Sequence, residues 1–222
     1  MSALLEAAIT VDRDVGRSSP TQHVILYDVS WETYERLLAE HTGNSSTHFA
    51  YDQGRLEIMV LSVQHETLKY LLSLLVDLFA EEMEIDIYAV GSTTFRRQDL
   101  ERGFEPDACF YFQNEAFVRG KSNIDLLVDP PPDLVIEIDI TSPSLNKFPI
   151  FAALSIPEVW RYDGERVSIW AYHAGDYQER VESQLLPKIT SVVLTEFLEA
   201  GQQMKRTAWL RRVRTWTRQG AK

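Results

Sequence analysis

Cysteine is almost missing from this sequence: Cys109 is the only one in 222 residues. A lone thiol excludes an internal disulfide framework and cannot by itself supply a thiolate zinc site, so its expected place is that of a small buried hydrophobe. Long apolar runs are missing too. No stretch approaches the roughly 18 residues that a membrane span needs, and no basic segment followed by an apolar one opens the chain, which gives the expectation of a cytoplasmic protein without an export signal. Positive charge is scarce: 22 Lys and Arg stand against 33 Asp and Glu, a net charge of −11. Such a deficit argues against a surface that coats nucleic acid generally, because phosphate contacts are the main electrostatic source of that affinity. What is present, 45% hydrophobic and 25% charged residues, is an ordinary globular composition, sufficient for one domain with a substantial core.

The scarce cations are unevenly placed. Seven basic residues and no acid lie between Lys205 and Lys222, leaving −18 on the rest of the chain. This tail also carries Trp209, Val213 and Trp216 at helical spacing. A contact with nucleic acid is one reading of it; a terminal helix docked on its own domain or on a second subunit of a homodimer is the other. Residues 1–22, with Gly16, Ser18, Ser19 and Pro20, read as a flexible lead-in, 23–200 as the main domain and 201–222 as a basic helical tail.

Hydrophobic periodicity predicts alternating helices and strands in the main domain. Ser30 is a helix N-cap before Trp31, Tyr34, Leu37 and Leu38, and residues 49–60 read as a hairpin turning at Asp52-Gln53-Gly54. Leu68, Leu71, Leu72, Leu75, Leu78 and Phe79 predict a long helix over about 64–83, with Glu81, Glu82 and Glu84 crowding the end where acids oppose the helix dipole. A strand over 85–94, a polar connection over 96–103 and a strand near 107–112 follow. A helix ending near Leu154, a hairpin over 159–170 and a short helix over 191–198 complete an α/β domain.

Two predicted strands carry acids at alternate positions. In Asp133-Leu134-Val135-Ile136-Glu137-Ile138-Asp139-Ile140, the acids share one face and the large aliphatics the other, the pattern of a half-buried strand with a wet side. Glu105 and Asp107 repeat it before Ala108, Phe110 and Phe112. If these strands are neighbours, Asp107 and Glu137 come close enough for their charges to repel, and a cation relieves that repulsion. Carboxylate oxygens without a cysteine and histidine ligand set favour Mg²⁺ or Mn²⁺.

The sequence Glu105-Pro106-Asp107, then Pro132 to Glu137, then Lys147 and Ile156-Pro157-Glu158-Val159-Trp160-Arg161-Tyr162-Asp163, resembles the putative restriction endonuclease family abundant in cyanobacteria, within the PD-(D/E)XK nuclease superfamily. Leu56-Glu57-Ile58-Met59 and His65-Glu66 fit as well, so the likeness spans roughly residues 25–175. It implies a restriction-endonuclease-like central mixed β-sheet flanked by helices, with an additional β-hairpin region, and divalent-metal-dependent hydrolysis of DNA. Asp107 and Glu137 would be the metal-binding carboxylates. The superfamily's lysine, two residues after the glutamate, is replaced here by Asp139, which becomes a candidate third metal oxygen, while Lys147 is the candidate for the missing positive charge. Glu66 is a possible accessory acid at the start of the long helix, its competing role being that of an exposed N-terminal helix acid. His65 reads equally as a cleft residue or a packing residue, and Trp160, Tyr162 and Trp170 as core or interface. The alternative class is a non-catalytic DNA-binding or assembly protein that retains the nuclease scaffold, suggested by the missing lysine and the acidic body. Hydrolysis of another phosphodiester, RNA or a small substrate, shares the same site.

Overall fold

The computed structural model describes residues 21–41, 47–140 and 144–220. The elements are β1 (Gln22–Leu26), α1 (Trp31–Glu40), β2 (Thr47–Asp52), β3 (Arg55–Val60), α2 (Val63–Glu82), β4 (Tyr88–Gly91), β5 (Phe95–Arg97), β6 (Arg102–Phe104), β7 (Ala108–Tyr111), α3 (Glu115–Val118), β8 (Leu134–Ile138), α4 (Phe148–Ala153), β9 (Glu158–Tyr162), β10 (Val167–His173), β11 (Asp176–Arg180), α5 (Ser191–Gln203) and α6 (Arg206–Gly220). Residues 1–20 of the expected lead-in, and Thr141 and Ser142, lie outside the described residues.

Local chemistry starts and turns these elements where the sequence signals it. Ser30, Ser62 and Thr190 each accept a hydrogen bond from the backbone N–H three residues on, capping α1, α2 and α5. Each cap is worth about 1 kcal/mol. Gln53 and Gly54 both have positive φ, the requirement of the tight turn that matches hairpin twist between β2 and β3. At Gly103 the need is space: a Cβ would fall 2.3 Å from the Tyr34 hydroxyl.

The strands form two sheets. A six-stranded mixed sheet has the order β11-β10-β9-β8-β7-β4, in which β8 and β9 run parallel and the other neighbours antiparallel. A five-stranded antiparallel sheet has the order β1-β3-β2-β6-β5. The additional β region is thus a full second sheet, larger than the expected hairpin. The stretch 96–103, read as a polar connection, instead supplies most of β5 and β6, which pair at the far edge of this sheet; Arg96, Arg97 and Arg102 hide the strand signal.

Helices α2, α5 and α6 cover one face of the mixed sheet, burying Leu72, Leu75 and Phe79 against Ile136, Trp160 and Ile169. The opposite face meets α4 and the second sheet through Cys109, Val135, Phe151, Val159 and Phe104. Each such large side chain taken from water contributes about 1.5–3 kcal/mol. Strand β8 is therefore covered on both faces, and all five of its residues are buried. The expected wet face does not exist, because the second sheet and α4 lie over it.

The basic tail resolves into the last residues of α5 and the whole of α6, whose Trp209 and Val213 are buried in the same core as α2. Arg214 pairs with Glu81 and Arg218 with Glu82, so the acids that oppose the α2 dipole face guanidinium groups. The Arg218 hydrogen bond holds the Glu82 carboxyl below its ordinary range. No helix among the described residues is long and apolar enough to cross a membrane.

Candidate active site

Parallel strands β8 and β9 end together at Ile138 and Tyr162, and the polar residues gather at that carboxyl end. Asp107, just before β7, follows the antiparallel register that sets Ala108 opposite Ile136 and so faces Glu137. Its Oδ2 accepts the backbone N–H of Ile138 at 2.7 Å. Glu137 Oε2 accepts from Lys147 Nζ at 2.6 Å, and the same ammonium lies 4.0 Å from Glu57 Oε2. Lys147 is the N-cap residue of α4, which crosses between the parallel strands, and the geometry of that crossover brings it back over β8. Glu57 reaches in from β3 and its Oε1 fixes the Leu145 N–H at 2.9 Å, pinning the segment that carries Lys147.

Two histidines complete the surroundings of Asp107. His65 Nε2 lies 3.2 Å from Oδ2 and His48 Nδ1 lies 3.5 Å from Oδ1, close polar contacts without hydrogen-bond alignment. Glu57, Asp107, Glu137, His48 and His65 are all buried. A cavity of about 330 Å³ is lined by Glu57, Glu137, Asp139, Lys147, Arg161 and Trp170 among others, while Asp107, His48 and His65 lie behind that lining. A larger cavity of about 910 Å³ beside α1 shares no lining residue with it.

The protonation states follow from burial and neighbours. Burial pushes Glu137 up, and the nearby charges of Asp107 and Glu57 add to this against the single Lys147 ammonium, bringing it to about 8. Burial also works against ionised Asp107, but the two histidines and Lys147 outweigh it and hold that carboxyl far below its ordinary value. Lys147 loses hydration by burial, yet the three surrounding acids hold it above its ordinary value and keep it charged. Once Glu137 gives up its proton, four carboxylates, counting Asp139, face two cations, Lys147 and Arg161, an excess of two negative charges that its raised value resists while no cation is bound.

That excess fits one divalent cation. Asp107 Oδ1 and Glu137 Oε1 are buried oxygens with no hydrogen-bond partner among the described residues. Among those residues no group of three or more His, Cys, Asp and Glu side chains converges as a protein-only metal cage. Mg²⁺ does not require one, since it keeps several waters and binds through one or two carboxylates.

A model of the Uma2 family, described as putative restriction endonuclease, matches residues 31–207. The chain belongs to the Uma2 family. Among solved structures it is similar to a putative nuclease belonging to DUF820 from Anabaena variabilis ATCC 29413, with 11% identity and a TM-score of 0.51 over 77% of this chain and 99% of that one. At that identity the likeness is one of fold. No curated protein matches the sequence.

The Uma2 match spans every residue of the cluster. Of the residues singled out by sequence, Asp107, Glu137 and Lys147 come together. Asp139 lines the same cavity but is engaged elsewhere: Ser144 Oγ donates to both of its oxygens, at 2.9 and 3.0 Å, and Arg161 donates from Nε at 3.2 Å and from Nη2. Glu66 is not brought in; it is half-exposed on α2 and pairs with Lys69. Sequence reasoning missed His48 and assigned no role to Glu57. The available signal was a polar residue beside large apolar ones in each hairpin strand, His48 before Phe49 and Glu57 between Leu56 and Ile58, both of them buried.

Proposed function

We propose that this Uma2 protein is a Mg²⁺- or Mn²⁺-dependent endonuclease of the PD-(D/E)XK type that hydrolyses DNA phosphodiester bonds. The observation that carries the reading is the pair of orphaned, buried carboxylate oxygens on Asp107 and Glu137. These two residues would hold the cation. Once bound, it supplies polarisation of the phosphoryl group and neutralisation of its charge. Asp107 is kept ionised by His48, His65 and the Ile138 N–H, so it is ready as an oxygen donor. Lys147 holds Glu137 Oε2 and leaves Oε1 for the cation. Because its ammonium stays protonated at neutral pH, Lys147 serves as a hydrogen-bond donor to charge developing on the phosphoryl group, not as a base. The family's description and the fold of the Anabaena protein support the nuclease class.

The test is incubation of the purified protein with linear, circular and single-stranded DNA in Mg²⁺ or Mn²⁺, beside Asp107→Ala and Glu137→Ala. Turnover lost in both variants supports the reading. Cleavage that survives both overturns the site, and DNA binding without turnover in either metal favours the scaffold reading. Activity on RNA or a small phosphodiester alone moves the substrate class. Paired cuts on two strands would call for a homodimer, which sedimentation of the full chain examines directly.

A further inference from the structure

Asp139 and Arg161 remain unused by that mechanism although both line its cavity. Arg161 stands opposite Glu137 in the parallel β8–β9 register, on the sheet face that carries the carboxylates. Its guanidinium is bound along one edge: Nε and Nη2 both donate to Asp139 Oδ2. Ser144 in turn fixes Asp139. Nη1 has no hydrogen-bond partner among the described residues. The side chain of Arg161 is 37% exposed, against 12% for Lys147. Lys147 is moreover committed between Glu137 and Glu57.

We propose that Arg161 is a phosphate subsite beside the carboxylate pair, aimed by Asp139, and that it takes the backbone phosphate adjoining the scissile one. This rests on the nuclease reading for the identity of the strand, but not for its test. Three physical points lead to it. An anionic strand approaching a strongly acidic body needs a reachable cation at the cavity, and of the two cations on the wall Arg161 is the more exposed. A guanidinium held through Nε and Nη2 still presents the protons of its other edge, the geometry that suits two phosphate oxygens. An aspartate with its oxygens already engaged by Ser144 and Arg161 acts more economically as an orienting group than as a cation ligand. Asp139, at the position where the resemblance leads one to expect a lysine, thus brings positive charge to the site indirectly, through the neighbouring strand.

The measurement is fluorescence anisotropy of a labelled oligonucleotide, single-stranded and duplex, titrated with full-length protein in EDTA and in Mg²⁺ at several salt concentrations. Arg161→Ala is expected to weaken binding about tenfold, as loss of a charged hydrogen bond does, and to lower the salt slope by about one counterion. Arg161→Lys keeps the stem and the charge; it should retain the slope while binding a few-fold more weakly, because the fork is lost. Circular dichroism of both variants checks that they fold. An unchanged affinity and slope in Arg161→Ala overturns the subsite, as does wild-type protein that binds neither form of oligonucleotide. If Arg161→Ala does not fold, Arg161→Lys with wild-type affinity overturns it. The two proposals fail separately: a slope change without any wild-type cleavage sinks only the catalytic reading, whereas Asp107-dependent cleavage with an unchanged slope sinks only the subsite.

Discussion

The two ends of strands β8 and β9 carry the same kind of residue in opposite conditions. At the start of β8, Asp133 accepts the backbone N–H groups of Phe112, Gln113 and Asn114 and the Asn114 side chain. At the start of β9, Glu158 accepts from Trp160 Nε1, Ser183 Oγ and the Gln184 N–H. Both acids are as buried as Glu137 and Asp107 at the other end, and Glu158 likewise has its carboxyl pushed up by burial. What separates the ends is satisfaction. The acids at the starting end have donors on both oxygens, while Asp107 and Glu137 each keep one oxygen without a hydrogen-bond partner among the described residues. A buried carboxylate with filled lone pairs holds a loop; one with an empty lone pair can hold something that is not part of the chain.

The contrast can be broken most forcefully at the end with the unsatisfied acids. Glu137→Ala and Asp107→Ala should each reduce turnover by about a thousandfold or more, the several kcal/mol expected when a cation site loses one of two carboxylates. Glu158→Gln should leave turnover within a few-fold, and a comparable loss there would erase the distinction. Next in size is the loop-holding end. Asp133→Ala strips three N–H groups of their acceptor and should destabilise the fold by about 3 kcal/mol in urea unfolding. A change below 0.5 kcal/mol would mean that water replaces the carboxylate without loss.

Proton linkage sharpens the same comparison. Glu137 has a folded value near 8, above its ordinary one, so protonation favours the folded state. Its contribution to stability is complete at low pH, below the ordinary glutamate range, and is lost as pH rises through about 8. In metal-free protein, stability should fall by on the order of 2–3 kcal/mol between pH 5 and pH 8, and Glu137→Gln should flatten that slope. Urea melts of both proteins in EDTA across this range check it; parallel slopes refute it. The smallest effect belongs to Glu66, whose half-exposed pair with Lys69 predicts less than 0.5 kcal/mol and unchanged turnover for Glu66→Ala.

Much of this was legible in the sequence where signals were local. The Ser30 cap, the Gln53-Gly54 turn and the long apolar face of α2 follow from residues a few positions apart. Asp107 and Glu137 were paired correctly because consecutive strands tend to be neighbours, and here β7 and β8 are. Features that depend on register or on packing between sheets were hidden. Arg161 meets Asp139 because of one particular alignment of parallel strands, which alternation alone does not specify. Glu57 and His48 belong to the other sheet, and only its docking turns two polar residues of a hairpin toward the carboxylates. The same docking explains why an alternating strand that reads as half-wet is dry on both sides.

That the cluster draws on both sheets has a consequence for the newly made chain. Glu57 and His48 come from the early hairpin, His65 from the helix after it, Asp107 from the middle of the chain, and Glu137 and Lys147 from beyond it. The clamp from Glu57 to the Leu145 N–H forms only when the halves have met. A truncated product or a half-synthesised polypeptide therefore owns no complete centre. The centre is thus a product of sheet docking, assembled only once residues from 48 to 147 have folded together.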